Sequence, residues 1–167
     1  CIIIPCYNNE RTVADVALSV TSYSENVIVV LDGCTDNSAT SLQGISEKIT
    51  ILSYSPNKGK GAALDYAFNY AVTKGFDYAI TLDADGQHFA SDLPLFFEQI
   101  EKNYGALIVG CRFLRQENMP AGNTFANKFS NFWFTVQTGK KLADTQTGYR
   151  AYPLFKMGKM RSFSKRY

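Results

Sequence analysis

The residues best placed to do chemistry are Asp83 and Asp85, in the stretch TLDADGQHF at 81–89. They follow an apolar run, DYAITL, that reads as a strand. Residues i and i+2 of a strand share a face, so both carboxylates reach one point just past its end. Two adjacent carboxylates repel and raise each other's pKa. A hard divalent cation resolves that repulsion. Mg²⁺ or Mn²⁺ takes carboxylate oxygens and keeps positions open for water and for substrate phosphates. The plainer reading is a turn with two solvated aspartates, since the D-x-D pattern is common by chance. The single histidine, His88, lies three residues on. A lone loop histidine is ordinarily a hydrogen-bonding residue and not a ligand.

Other phosphate and metal motifs are absent. There is no G-x-x-x-x-G-K-[ST]. The first strand turns through PCYNNE without the glycines of a dinucleotide fingerprint. GKGAA at 59–63 puts two glycines at a helix start, which suits close backbone approach to a ligand but is a weak motif. The glycine after the aspartates is misplaced for an EF-hand. A dehalogenase-type phosphatase shares the apolar-DxDG pattern, but its nucleophile belongs on the first strand with an acidic pair downstream. Here the motif is on the fourth, and after Glu101 only Glu117 and Asp144 remain.

The elements that must position these residues alternate strand and helix. Strands are expected at 1–4 (ended by Pro5), 26–31, 49–55, 76–82 and 105–113, with a last one fed by LADTQTGYRAY. Helices are expected at 10–23, 61–74, 125–138 and after Ser91 as N-cap, and Asp36 or Ser38 is expected to cap a short one. Continuous apolar strands separated by helices predict an α/β fold with a mostly parallel sheet flanked by helices. Ligands of such sheets bind outside the carboxyl ends of the strands. Those ends carry Pro5-Cys6-Tyr7-Asn8, Asp32-Gly33, Pro56-Asn57-Lys58-Gly59, Asp83-Ala84-Asp85 and Arg112, which are expected to converge on one cleft.

Length and composition fit one soluble globular domain: 167 residues, 46% hydrophobic and 19% charged. Four cysteines without metal-ligand spacing read as reduced thiols. No apolar run is long enough for a membrane span. The chain opens inside an apolar run without Met and is read as a fragment. The net charge of +2 hides a split, because residues from Arg112 onward hold 11 basic against 2 acidic residues, a net of +9. That excess is either a solvated basic face or the mark of an anionic partner: a phosphate, an acidic lipid surface or a nucleic acid.

Six stretches taken together resemble a known family: IIIPCYNNE, VVLDGCTDNS, NKGKGAALDYAF, DYAITLDADGQH, VGCRF and DTQTGYRAY. In this order and spacing they are similar to family 2 glycosyltransferases of the GT-A fold, in the branch of dolichyl-phosphate mannosyltransferases and polyprenyl-phosphate glycosyltransferases. The resemblance covers essentially the whole chain. It implies a nucleotide-diphosphate sugar donor lying over the strand ends. It implies that Pro5, Tyr7 and Glu10 shape the nucleoside pocket and that Asp32 hydrogen-bonds the base or ribose. Lys58 and Gly61 match the segment beside the nucleotide, with Asp83, Ala84 and Asp85 along the diphosphate. Asp83, Asp85 and Gln87 match a Mg²⁺ or Mn²⁺ site. Arg112, Lys128 and Arg150 match basic positions near an acceptor phosphate. Leu31 and Cys34 depart from the family's acidic residue and serine. Inversion at the anomeric carbon by direct displacement is implied, and nucleic acid is not an expected partner.

The acceptor decides the catalytic residues. A hydroxyl must lose a proton and needs a carboxylate base. A lipid phosphate is already ionised near neutral pH, with a second pKa of about 6, and asks for cations instead. Cations are abundant after Arg112, whereas Asp144 is the one candidate base there. Asp85, Arg112 and Asp144 are therefore the candidate catalytic residues, and a polyprenyl phosphate is the favoured acceptor over a glycan hydroxyl. The interleaved aromatics and cations of NKFSNFWFTV and PLFKMGKMRSF suit a lipid–water interface, and a location at the cytoplasmic face of a membrane is expected. A non-catalytic nucleotide-sugar-binding module is the remaining alternative.

Overall fold

A computed structural model describes residues 1–110 and 147–157. Among them six strands form one sheet: β1 Ile2–Cys6, β2 Val27–Asp32, β3 Thr50–Tyr54, β4 Tyr78–Thr81, β5 Ile108–Val109 and β6 Arg150–Pro153. The spatial order is β3-β2-β1-β4-β6-β5. β1 pairs in parallel with β2 and β4, and β2 pairs in parallel with β3. β6 runs antiparallel to both β4 and β5. The sheet is thus mostly parallel, as the sequence predicts; the one reversed strand, β6, is no part of that expectation. Every residue of β1, β2 and β4 is buried, which is why these strands read as continuous apolar runs and not as alternations.

Helices α1 Val13–Thr21, α2 Ser38–Ser41, α3 Lys60–Thr73, α4 Leu93–Lys102 and α5 Leu154–Met157 cover the faces. One face buries Ile2, Ile4, Val29 and Ile80 against Val13, Ala17 and Val20 of α1 and Leu93 and Phe96 of α4. The other buries Ile3, Ile28 and Val30 against Ala63, Ala67, Phe68 and Ala71 of α3. The alanines let α3 lie close to the sheet.

Several boundaries move. β1 continues through Pro5, which pairs in register with Val30. Cys1 and Ile3 accept from Ile80 and Leu82 of the β4 side, so Pro5, on the same side, lacks its N–H where β4 has already ended. The proline therefore costs no ladder bond. Ser91 does not cap α4; it lies in a short 3₁₀ turn, Ala90–Asp92, and Asp92 holds the cap position. Asn37, and neither Asp36 nor Ser38, holds the cap position of α2; Asp36, one residue earlier, accepts the backbone N–H of Ser38 on its Oδ1 at 3.0 Å. The expected strand at 105–113 is Ile108–Val109 within the described residues. The expected helix at 125–138, with Lys128, and also Arg112, Cys111 and Asp144, lie outside them. Cys1, Cys6 and Cys34 are free thiols.

Candidate active site

The carboxyl ends of β1, β2 and β4 open into one cleft of about 300 Å³, lined by Pro5, Cys6, Tyr7, Asn9, Asp32, Lys60, Ala63, Asp83, Ala84 and Asp85. Convergence follows from the parallel pairing, which brings all three ends to the same edge. β6 runs the other way, so its first residue, Arg150, is at that edge too, paired with Thr81. The Arg150 guanidinium donates through Nε to the Thr147 carbonyl at 2.9 Å.

The loops around the cleft are tied to each other. The Asn8 side chain, in a residue with φ 54°, accepts the Thr35 N–H at 2.9 Å and donates to the Thr35 hydroxyl at 3.2 Å. Glu10 donates its backbone N–H to Asp36 at 3.0 Å, and its carboxylate accepts the Asn37 N–H at 2.9 Å. Glu10 thereby braces the loops after β1 and β2 and does not itself line the cleft. Thr12 donates its hydroxyl to the Ala84 carbonyl at 2.6 Å, fastening the start of α1 to the loop after β4.

Asp32 ends β2 and is 2% exposed. Its Oδ1 accepts the Lys58 N–H at 2.7 Å; its Oδ2 accepts the Gly59 N–H at 2.9 Å and the Asn57 amide at 3.0 Å. Charge-assisted bonds of this kind are the stronger class. They fix the turn that enters α3. Gly33 makes the turn possible: a Cβ there would sit 2.2 Å from the Asn57 nitrogen. Lys58 follows that turn outward, its ammonium lying 5.2 Å from the Tyr54 ring centroid. Gly61 is exposed and Lys58 is not among the lining residues. Among the described residues Lys60 is the lysine that enters the cleft.

Asp83 lies just beyond β4 and forms an ion pair through Oδ1 with Lys60. Its Oδ2 lies 3.6 Å from Nε2 of His88. Burial alone would raise its pKa, but hydrogen bonding and charge from His88 and Lys60 prevail and hold the carboxyl at about 2. Gly148 backs the same carboxylate, and a Cβ there would approach Oδ2 to 2.3 Å. His88 is packed in place, its side chain 6% exposed and its ring 5.2 Å from that of Tyr149. Tyr149 stacks on Phe96 and donates its hydroxyl to the Phe89 carbonyl at 3.2 Å. Asp85 is exposed, and its Oδ1 accepts the Gln87 N–H at 3.0 Å across Gly86, whose φ is 78°. Gln87 is exposed beside it.

Asp83 and Asp85 therefore share the cleft as the spacing predicts. Lys60 and Gly148 are the residues that sequence reading passed over. Lys60 had a signal, because it stands between the two glycines of GKG at a helix start. Gly148 had none, since its closeness to Asp83 comes from strand pairing across the sheet.

A family model for glycosyl transferase family 2 matches residues 1–164. The chain belongs to that family. It is 28% identical over 170 residues to a UDP-N-acetylglucosamine–dolichyl-phosphate N-acetylglucosaminyltransferase of Methanococcus voltae, covering 90% of this chain and 68% of the relative. It is 26% identical over 133 residues to an undecaprenyl-phosphate mannosyltransferase of Micrococcus luteus, covering 76% and 54%. A solved structure of glucosyl-3-phosphoglycerate synthase from Mycobacterium tuberculosis, with Mn²⁺, uridine diphosphate and glucosyl-3-phosphoglycerate, superposes with a TM-score of 0.64. It is 18% identical and covers 92% of this chain and 56% of that one, a likeness of fold. This family 2 chain thus spans roughly half to two thirds of the length of these relatives.

Proposed function

We propose that this family 2 chain carries the donor site of an inverting glycosyltransferase that moves a sugar from a nucleotide-diphosphate sugar to a polyprenyl phosphate. The observation that carries the reading is the single cleft in which Asp83 and Asp85 meet Lys60 at the carboxyl ends of parallel strands. The two named transferases support the acceptor class, since both act on a polyprenyl-type phosphate by name.

The donor set fits Mg²⁺ or Mn²⁺. Asp83 and Asp85 offer hard oxygens to one cleft, and Gln87 follows Asp85 in the same turn. Asp83 and Asp85, with Gln87, would hold the ion. When bound, it would supply a positive charge against the diphosphate oxygens.

The other groups belong to the chain. Pro5, Tyr7 and Glu10, with Asp32, frame the nucleoside; in Asp32 and Glu10 this means holding the loops that do so. Ala84 borders the diphosphate, and Lys58 and Gly61, which do not line the cleft, flank the Lys60 that does. The acceptor oxygen attacks the anomeric carbon as the bond to the donor phosphate breaks, and that electron pair leaves on the nucleoside diphosphate. Lys60 faces the position where this charge grows. Arg150, with Arg112 and Lys128, receives the acceptor phosphate, arginine being suited to two-pronged contact with it. An ionised phosphate needs no base, so Asp144 has no proton to take. Among the described residues no helix is long and apolar enough to cross a membrane. The membrane contact we expect lies at the cytoplasmic face.

Mass-spectrometric transfer assays with UDP- and GDP-sugars test the reading. Sugar should appear on a short-chain polyprenyl phosphate. Transfer to a saccharide hydroxyl with the lipid ignored would make Asp144 the base, and binding without transfer or hydrolysis would leave a binding module.

A further inference from the structure

Asp83 and Asp85 are not equivalent in the cleft. Asp83 is engaged on both oxygens, by Lys60 on one and toward His88 on the other, and Gly148 closes its third side. Asp85 is exposed, and its Oδ1 takes a single backbone N–H. One carboxylate of the pair is therefore matched with a positive charge before any ligand arrives. That charge sits on a long tether. Lys60 is the first residue of α3, behind Gly59 at φ 91°, and its side chain reaches across the cleft to the end of β4 while remaining 50% exposed. A lysine is a point charge on a flexible four-carbon stem. It is held here at one end only, with solvent beside it.

We infer, resting on the donor site proposed above, that Lys60 is an exchangeable counter-cation. It neutralises Asp83 in the empty cleft and transfers to the donor diphosphate when a divalent cation takes Asp83. The reason is electrostatic. An ammonium and a divalent cation on the same carboxylate are close like charges, and their repulsion is strong at the effective dielectric of a cleft. A nucleoside diphosphate brings anionic oxygens into the same space. It gives the ammonium a new partner and removes the repulsion. Divalent ion alone is disfavoured, and divalent ion with diphosphate is favoured, so the two ligands bind with positive coupling. No bond is made or broken; only the partner of Lys60 changes. Lys58 is not a lining residue of the cleft, and its ammonium lies 5.2 Å from the Tyr54 ring centroid.

The coupling predicts opposite signs for one substitution. Lys60→Met keeps the stem and removes the charge. Mn²⁺ alone, read from the paramagnetic resonance signal of the free ion, should bind Lys60→Met about 5-fold tighter than wild type. UDP or GDP with saturating Mn²⁺ should bind it about 10-fold more weakly. Lys60→Arg should keep the wild-type order, and matching thermal melts will establish that the half-exposed site has not altered folding. If Lys60→Met weakens both ligands, or leaves either affinity unchanged, the exchange is wrong, while the donor reading survives as long as wild type still takes Mn²⁺ with a nucleotide. If wild type takes up no Mn²⁺ with either nucleotide, the donor reading itself fails and the exchange with it.

Discussion

Two strand ends in the same cleft each present an aspartate, and the protein treats them differently. At the end of β2, Asp32 is buried and matched by backbone amides of Lys58 and Gly59 and the side-chain amide of Asn57. At the end of β4, Asp83 is partly open and matched by side chains, the Lys60 ammonium and the His88 ring. Amide dipoles built into a turn cannot leave, so Asp32 is a fixed support. A lysine can leave, so Asp83 remains able to take another cation. The difference teaches that a carboxylate at a strand end is read by what neutralises it and not by its position alone.

The contrast can be broken at the β2 end first. Asp32→Ala strips a buried acceptor from three donors, and hydrogen bonds to charged groups contribute about 1.5–3 kcal/mol each. With partial relaxation, a loss of about 3 kcal/mol is expected, which lowers Tm by roughly 6–12 °C for a chain of this size. Thermal unfolding followed by circular dichroism measures it. A Tm within a degree of wild type would contradict the supporting role.

At the β4 end the expected stability term is smaller and depends on pH. Asp83 is held at about 2 against an ordinary 3.8. Its folded pKa is depressed, so its contribution is present above 3.8 and is lost as pH falls through about 2. One pKa unit corresponds to about 1.4 kcal/mol, so the stability advantage of wild type over Asp83→Asn should be at most about 2.5 kcal/mol near neutrality. Urea titrations at several pH values should show that advantage closing between pH 4 and pH 2. A difference that is flat with pH would mean that Lys60 and His88 do not stabilise the carboxylate.

Gly148→Ala sharpens the same point without touching a charge. Its new Cβ would press on the Asp83 carboxylate, and overpacking of this kind costs about 1–3 kcal/mol. The carboxylate can shift toward the cleft, so about 1 kcal/mol is expected in denaturant unfolding, together with weaker Mn²⁺ binding. Unchanged Mn²⁺ binding would show that Gly148 does not set the position of Asp83. The smallest effect on stability belongs to Asp85→Asn, an exposed residue, for which less than about 0.5 kcal/mol is expected.

Much of this arrangement was legible in the sequence, and unevenly so. The parallel strands were, because VIVVL and YAIT are buried on both faces and show no alternation. The Asp83–Asp85 pair was, because residues this close in sequence past one strand end stay at one cleft, although β4 stops at Thr81 and Asp85 sits in the turn beyond it. Glu10 and Asp32 were found as important positions, but their partners were not, since those bonds join loops 25–27 residues apart. The antiparallel course of β6, which brings Gly148 beneath Asp83 and Arg150 to the cleft edge, is likewise a long-range pairing. PLFKM is mixed: Leu154 is buried, while Phe155 is exposed and stacks on Tyr104 beside the beginning of β4.

The claim that the Asp83–Asp85 cleft grips a nucleotide diphosphate through a divalent cation is tested most directly by calorimetry. UDP and GDP are titrated into wild type and Asp85→Asn, each with Mn²⁺ and with EDTA. The account predicts that one nucleotide binds wild type with Mn²⁺, that EDTA weakens it at least about 10-fold, and that Asp85→Asn behaves with Mn²⁺ as wild type does with EDTA. Equal affinity in all four conditions would contradict it.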